Sequence, residues 1–237
     1  MVVRTIGETV NRDQEPAVAP ESFLGRLSSD DLAFLWDVGR PVNFPKAATL
    51  FVEGERASRV FLVLNGRAKV FSSTTVGRCV VHGIRGPGDI LGEMSAVDGC
   101  PRVATATTLE PARMLVVPAD AFQSAVDDRA GIASTLLRVL IERLREADVI
   151  RARFGSNDCI TRIACLLLEL AKKHGAKDGS GSRIDLPLTQ QDLADWVGAS
   201  REAVTKALAS LRAAGLVETG RREIVVLDVP ALALRGD

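Results

Sequence analysis

The chain has 237 residues, enough for one large domain or two ordinary ones, and its 46% apolar and 25% charged residues are typical of a soluble globular protein. No apolar run approaches the ~20 residues that a membrane-spanning helix needs, which argues against a membrane protein. The 30 basic and 30 acidic residues cancel, so global charge gives no evidence for a nucleic-acid partner and any such surface must be local.

The chain begins with a polar, proline-bearing segment, residues 1–20, which predicts a flexible tail. Its start is too short and too polar for a secretory signal, so a cytoplasmic protein is expected. Apolar residues then recur at helical spacing over residues 21–38, which predicts one or two short helices.

From residue 41 the pattern changes to short apolar runs rich in β-branched and aromatic residues, separated by glycines. The predicted strands are 49–52, 60–64, 68–71, 78–82 and 113–117. Regular short strands with glycine turns indicate a compact β-barrel or β-roll.

Residues 120–154 return to helical spacing. Their apolar positions alternate between steps of three and four, as in a coiled-coil seam: Leu137, Leu140, Leu144 and Ala147. A helix over about 128–154 would be roughly 40 Å long. Such a narrow seam is expected to pack against a partner, while Ile141 and Val149, off the seam, indicate some packing on the chain's own β-roll.

A second domain is predicted to follow a hinge near residues 155–157. Residues 160–173 predict an amphipathic helix with four apolar side chains on one side: Ile163, Leu166, Leu167 and Leu170. Residues 174–182 are rich in glycine and serine, which predicts a flexible loop.

Residues 188–216 predict two short helices joined by a tight turn. Thr189 and Asp192 suit a capping box, Gly198 suits a left-handed turn, and Ser200 suits the cap of the second helix. The second helix has an apolar face and a polar face: Val204, Leu208 and Leu211 against Arg201, Glu202, Thr205 and Lys206. Such polar side chains suit bases and phosphates in a major groove, although a helical hairpin with a solvated face has the same pattern.

Residues 217–227 predict a β-hairpin directly after the second helix. Arg221 and Arg222 are placed to lie against phosphates if the hairpin is the wing of a winged helix. An ordinary edge hairpin with solvent-facing arginines is the alternative.

Cysteines and histidines are few and scattered. The four cysteines form no C-x-x-C pair and lack the N-terminal clustering of an iron–sulfur sensor: Cys79, Cys100, Cys159 and Cys165. Buried free thiols are therefore predicted. A cupin-like enzyme would need clustered metal ligands, which the distant His82 and His174 do not supply, so neither a metal nor an enzyme activity is expected.

Several of these segments resemble the CRP/FNR family of bacterial transcription regulators. In the second half the resemblance rests on Gly198-x-Ser200-Arg201-Glu202-x-Val204, followed by the hairpin. In the first half it rests on Phe51-Val-Glu-Gly-Glu55 and on Gly92-Glu93 with Pro101-Arg102, which is similar to the phosphate-binding cassette of cyclic-nucleotide-binding domains.

The resemblance covers residues 23–229 and implies an α+β protein. The implied parts are an N-terminal tail at 1–20, a cyclic-nucleotide-binding β-roll at 21–126, a dimerisation helix at 127–154 and a winged helix-turn-helix at 155–237. The implied partners are double-stranded DNA, read as a palindrome of TGTGA-type half-sites, and a second copy of the chain, with RNA polymerase left open. The implied effector is a cyclic nucleotide, with cAMP as the first candidate.

By the same resemblance Arg102 contacts the phosphate and Glu93 the ribose. This fits the chemistry, because a buried phosphate needs a fixed cation and a ribose hydroxyl needs an acceptor. The implied nucleotide-binding residues are Gly92, Glu93, Met94, Arg102, Val103, Ala104 and Asp148. The implied DNA-binding residues are Thr189, Gln190, Ser200, Arg201, Glu202, Thr205 and Lys206.

Two departures from the family pattern keep other effectors open. Some cAMP-responsive members place a hydroxyl after the phosphate arginine, where this chain has Val103, and hold the adenine with Thr and Ser where it has Ala147 and Asp148. The alternatives are a degenerate β-roll in which Arg102 pairs with Glu93, a regulator controlled by a protein partner or by nothing, and a regulator of a different small effector.

Overall fold

The computed structural model describes residues 18–74, 79–156, 158–178, 181–220 and 223–236, with the backbone alone at 151–156 and 178. Packing divides the chain into two compact units. One comprises the described residues up to Lys69 together with Ile84–Val139, and the other comprises Val70–Gly83 together with the residues from Leu140 onward. Helices and antiparallel sheets occur in both halves of the chain, as the predicted α+β class requires.

The N-terminal half consists of two antiparallel sheets and short helices. Its helices, after a 3-10 turn at Leu24–Arg26, are α1 (Ser29–Val38), α2 (Glu93–Asp98) and α3 (Ala119–Asp128). Its strands are β1 (Arg40–Phe44), β2 (Thr49–Phe51), β3 (Arg59–Asn65), β4 (Ala68–Ser73), β5 (Cys79–Arg85), β6 (Ile90–Leu91), β7 (Thr105–Thr108) and β8 (Ala112–Pro118). The sheets have the orders β1-β8-β3-β6 and β2-β7-β4-β5.

The core of the first unit lies between central strands and the helices that cover them. Five consecutive residues of β3 are buried, and Phe61 pairs with Val116 of β8 in antiparallel register. All five predicted strands are present, while β1, β6 and β7 were not predicted. β1 contains Pro41, which cannot donate to a neighbour, and it accordingly forms an edge of its sheet.

Helix α4 (Ala130–Ser156) confirms the predicted long helix. Its first turns bury a face in the first unit through Ile132, Leu136 and Val139. The seam lies on another face, where Leu137 and Leu144 are 59% and 60% exposed and Leu140 is half-buried. Ile141 and Val149, from which some packing on the β-roll was predicted, are exposed, and the buried positions of α4 lie in its first turns.

From Leu140 onward the second unit contains, among the described residues, the end of α4, four further helices and one small sheet. Beyond α4 they are α5 (Cys159–His174), α6 (Gln190–Val197), α7 (Arg201–Ala213) and α8 (Val229–Gly236). The strands, in the order β11-β12-β10-β9, are β9 (Gly175–Asp178), β10 (Gly181–Ile184), β11 (Val217–Gly220) and β12 (Glu223–Val226). The four apolar residues predicted for one side of α5 are all buried.

The start of α5 and its link to α4 are fixed by charged groups. The carboxylate of Asp158 accepts a hydrogen bond of 2.8 Å from the backbone N–H of Thr161, which lowers the pKa of Asp158. At the other end Nζ of Lys173 lies 2.8 Å from Glu146 on α4 and 3.2 Å from Glu169. Burial alone would lower the pKa of Lys173, but these two carboxylates raise it overall, so the bridge is charged at neutral pH.

The flexible loop predicted over residues 174–182 is wrong. Strands β9 and β10 pair there, and β10 also pairs with β12, Arg183 opposite Val225. Because β12 offers its backbone hydrogen bonds to β10, tertiary pairing outweighs the glycine-rich composition. The residues that join β9 to β10, 179–180, lie outside the described part of the chain.

Two further predictions fall largely outside the described residues. Of the predicted tail, residues 1–17 are not described; Ala19, just beyond, accepts hydrogen bonds from the backbone and the hydroxyl of Ser22. The hairpin after α7 is confirmed by β11 and β12, but Arg221 and Arg222 at its turn are not described. Over the described ranges, no helix combines the length and apolar character that crossing a membrane requires.

Candidate functional site

Arg102 is the buried cation of the first unit. Only 4% of the residue is exposed, and its guanidinium is held at two of its nitrogens. Nη1 donates to the carbonyl of Gly92 and Nη2 to the carbonyl of Arg59, both at 2.5 Å. Nε is buried and has no hydrogen-bond partner among the described residues. An unsatisfied buried donor is costly, and it is the group that an anionic ligand would satisfy.

The surroundings of Arg102 combine an aromatic ring with two carboxylates. Its Cζ lies 4.4 Å from the ring centroid of Phe51. Burial lowers the pKa of Arg102, and the charges of Glu93 and Glu55 act in the opposite direction. An arginine keeps its proton well above neutral pH, so the site presents a fixed positive charge.

Position 92 requires glycine, because of its backbone conformation and because the guanidinium of Arg102 lies against it. It adopts φ +78° at the start of α2, in the left-handed region that favours glycine. A Cβ at this position would stand 2.6 Å from Nη1 of Arg102. Gly92 therefore gives the guanidinium room, and the next residue, Glu93, is only 4% exposed.

Two backbone hydrogen bonds join Arg102 to the segment between β2 and β3. The N–H of Gly54 donates to the carbonyl of Arg102, and the N–H of Arg102 donates to the carbonyl of Glu55, both at 2.8 Å. The carboxylate of Glu55 in turn accepts from the backbone N–H of Val52 at 3.0 Å. The Phe51–Glu55 and Gly92–Arg102 segments, which both carry the family resemblance, thus form one site.

The other predicted nucleotide-binding residues are less enclosed. Ala104 is buried, whereas Met94 and Val103 are exposed, Val103 by 59%. Asp148 and Ala147 are exposed on α4 and belong to the other compact unit. The structure therefore brings together Gly92, Glu93 and Arg102, and it adds Phe51 and the carbonyl of Arg59, which lies 43 residues from Arg102 and which no sequence spacing identified.

The helix-turn-helix forms as the sequence predicts. Thr189 and Asp192 make a full capping box, with the threonine hydroxyl accepting from the Asp192 N–H at 3.1 Å and the carboxylate accepting from the Thr189 N–H at 2.9 Å. Gly198 takes the left-handed conformation, φ 63°. The Ser200 hydroxyl then accepts from the N–H of Ala203 at the start of α7.

The two faces of α7 differ in the way a groove-binding helix requires. Its apolar side packs on α5 and α6 through buried side chains: Val204, Ala207, Leu208 and Leu211. Its polar side is exposed and carries Arg201, Glu202, Thr205 and Lys206. We call these four residues the recognition face.

Hydrogen bonds order part of the recognition face before any ligand is present. The Thr205 hydroxyl donates to the side-chain carbonyl of Gln190 at 2.9 Å, joining the start of α6 to α7. Hydrogen bonds from its own backbone N–H and from the Ser200 hydroxyl lower the pKa of Glu202. Glu202 is therefore an ionised acceptor at neutral pH, suited to the amino group of a cytosine.

Thr189→Ala is expected to lower the stability of the second unit by about 1 kcal/mol, because it removes the hydroxyl that accepts from Asp192. Thr189→Ser keeps that hydroxyl and should stay close to the wild type. Denaturant unfolding of the full chain without DNA checks both variants, in a Trp36→Phe background so that the fluorescence comes from the buried Trp196 alone. Equal unfolding curves for all three proteins would contradict the capping role.

The cysteines depart in part from the prediction of buried thiols. Cys165 is buried and donates to the carbonyl of Gly236 at 3.1 Å, and burial raises the pKa of the half-buried Cys159. Cys100 is exposed, because it follows the left-handed Gly99 in the turn after α2. Within the described ranges, no group of three or more His, Cys, Asp or Glu side chains is arranged to hold a metal ion.

Comparison with known families assigns both halves of the chain. Residues 41–129 match the model of the cyclic nucleotide-binding domain, and residues 161–235 match the model of the Crp-like helix-turn-helix domain. The first match contains the Arg102 site and the second contains the recognition face.

Comparison with individual proteins agrees with both matches. The chain is 37% identical over 196 residues to the CRP-like cAMP-activated global transcriptional regulator of Mycobacterium tuberculosis, covering 83% of this chain and 88% of that one. It is 27% identical to the cyclic AMP receptor protein of Thermus thermophilus, covering 80% and 84%. Among solved structures, the c-di-GMP responsive global regulator CLP of Xanthomonas campestris has the same fold, with a TM-score of 0.76 at 22% identity, covering 85% and 100%.

Proposed function

The chain belongs to the CRP/FNR family of transcription regulators, and from this premise we propose that it binds a palindromic DNA site as a homodimer under the control of cAMP. Its cyclic nucleotide-binding domain and its helix-turn-helix make it a DNA-binding regulator. The identity of the effector, the dimer and the palindrome are the proposed parts. A DNA target of this kind also implies a cytoplasmic protein, with RNA polymerase as a further candidate partner.

The observation that carries the effector proposal is the Nε of Arg102, a buried cationic side chain, which has no hydrogen-bond partner among the described residues. A cyclic phosphate supplies the anionic acceptor that this donor needs. Glu93, buried beside the arginine, supplies an acceptor for a ribose hydroxyl. The mycobacterial relative is described as cAMP-activated, which supports cAMP as the first candidate.

Isothermal titration with cAMP, cGMP and c-di-GMP tests this assignment. We expect cAMP to bind most tightly and to raise the affinity for a palindromic duplex, since an effector shifts the conformational equilibrium by its differential affinity for the two states. Specific DNA binding without any response to the three nucleotides would contradict it.

A regulator of a different small effector is the second candidate, and Val103 favours it. Its side chain cannot donate a hydrogen bond to a phosphate, and Ala147 cannot bind an adenine amino group through its side chain. Tighter binding of c-di-GMP or cGMP than of cAMP in the same titration would select this candidate.

The exposed seam of α4 supports the dimer. Leu137 and Leu144 are more than half exposed within one chain, and an apolar row at heptad spacing is stabilised by pairing with a second helix. A dimer presents two recognition faces, which suits half-sites about one helical turn apart.

Arg201→Ala is expected to weaken binding to a TGTGA-type palindrome by about tenfold or more at fixed salt, because one good bidentate base contact contributes about 1–3 kcal/mol. Binding to a scrambled duplex should fall far less. Fluorescence anisotropy on both duplexes measures the difference.

Arg212→Ala is the matched control for this change. Arg212 lies in the last turn of the same helix and donates to the Thr219 hydroxyl at 2.9 Å, away from the recognition face. It should alter the two affinities alike. Equal losses on both duplexes for Arg201→Ala would mean that Arg201 contacts only the DNA backbone.

A further inference from the structure

Beneath Arg102 three aromatic rings are in contact with one another. The rings of Phe51 and Phe61 have centroids 6.0 Å apart at 34°, and Phe44 meets Phe61 edge-on at 6.1 Å and 67°. Phe51 is the ring that faces the guanidinium, with 4.4 Å between its centroid and Cζ. The cluster is built from β1, β2 and β3, so its geometry is set by the β-roll and not by a mobile side chain.

We propose that Phe51 is a positioning residue for anion recognition: its ring fixes the plane of the Arg102 guanidinium and thereby directs Nε toward the phosphate of the effector. This inference rests on the proposed function, because it names how the same site holds its ligand. Phe51 does not have to touch the nucleotide itself.

The hydrogen bonds of Arg102 hold one edge of its guanidinium but do not contact its face. A guanidinium is planar and has five N–H donors in a fixed fork. The carbonyls of Gly92 and Arg59 hold two of its nitrogens, but both lie at the Nη end. Neither bond supports the face of the guanidinium, whereas the Phe51 ring lies 4.4 Å from Cζ and limits tilting of the Arg102 side chain. With the guanidinium plane fixed, the Nε–H bond, which has no acceptor among the described residues, points in one direction.

The cation–π contact also offsets part of the cost of burying the charge. Burial disfavours the charged guanidinium, whereas the negative face of an aromatic ring attracts it. A leucine at position 51 would fill part of the volume without that electrostatic attraction. The substitution therefore separates ring electrostatics from hydrophobic packing.

The affinity test compares three substitutions in the full-length protein. Phe51→Leu is expected to lower the affinity for cAMP about tenfold, in line with a desolvated cation–π contact. Phe51→Tyr keeps the ring and should bind within about twofold of the wild type. Phe44→Leu is the matched control, because it removes a ring of the same cluster that meets Phe61 and leaves the Phe51 stack on Arg102 in place.

A second readout needs no ligand. In 15N-labelled protein the Nε–Hε signal of Arg102, assigned by its loss in Arg102→Leu, reports the ring-current field of Phe51 and protection from solvent. We expect Phe51→Leu to shift and broaden this signal and Phe44→Leu to leave it in place. If Phe51→Leu does not fold, Phe51→Met, an unbranched gap-filling side chain, replaces it in both measurements.

These readouts separate the inference from the proposed function. A wild type that binds neither cAMP nor cGMP removes the cyclic-nucleotide assignment, and an unmoved Arg102 signal in Phe51→Leu then removes the positioning role as well. Wild-type affinity in Phe51→Leu, with or without a moved signal, also overturns the inference. A moved signal together with a loss of affinity that Phe51→Tyr restores supports it.

Discussion

Arg102→Leu is expected to lower the affinity for the cyclic nucleotide by about 100-fold or more. Removing one partner of a buried charge pair costs about 2–5 kcal/mol, and 1.4 kcal/mol is a factor of ten in affinity. The arginine is 4% exposed and its Nε has no hydrogen-bond partner in the described part of the chain, so the phosphate would lose its fixed cation. Isothermal titration with cAMP measures the change.

The control for this substitution is Arg59→Gln. Arg59 is exposed, and its backbone carbonyl, not its side chain, holds Arg102, so the charge can be removed while the bond to Nη2 stays. We expect its cAMP affinity to stay within a few-fold of the wild type. Circular dichroism confirms that each variant is folded. If a folded Arg102→Leu protein binds cAMP as tightly as the wild type, the site has been assigned to the wrong residues.

Leu140→Glu is expected to convert the proposed dimer into a monomer. The substitution puts two carboxylates, one from each chain, into the apolar seam, where burying an unpaired charge is strongly unfavourable. Leu140 lies between the exposed Leu137 and Leu144 in that seam. Sedimentation velocity at micromolar protein concentration measures the change in mass.

Val149→Glu is the matched control on the same helix. Val149 is also exposed, but it lies off the seam, on the side of α4 that faces α5 and α8. This variant should sediment as a dimer. A Leu140→Glu protein that also remains dimeric would exclude the seam as the interface and would require another surface for pairing.

The elements predicted well from the sequence are those whose signal is local. The capping box at Thr189, the left-handed Gly198 and the buried stripe of α7 follow from short-range spacing, and all three are present. β3 was predicted because an apolar run of five residues is buried as one unit. In each case the residues within the segment are sufficient to predict its conformation.

The elements that were missed depend on distant partners. β7 reads Thr-Ala-Thr-Thr, with no large apolar side chain, and becomes a strand because β2 pairs with it. β9 and β10 form against β12 despite their glycines. The same limit applies to the candidate site: Arg102 was identified from its motif, but the ring of Phe51 and the carbonyl of Arg59 come from strands far away in sequence.

The burial of Arg102 has a consequence for the response to ionic strength. Arg201 and Lys206 are exposed, so salt screens them and displaces the protein from phosphates by counterion competition. A cation that is 4% exposed is screened far less. Rising salt should therefore empty the DNA site while the effector stays bound. Ionic strength would then act on the proposed regulator through its DNA contacts alone, independently of the effector.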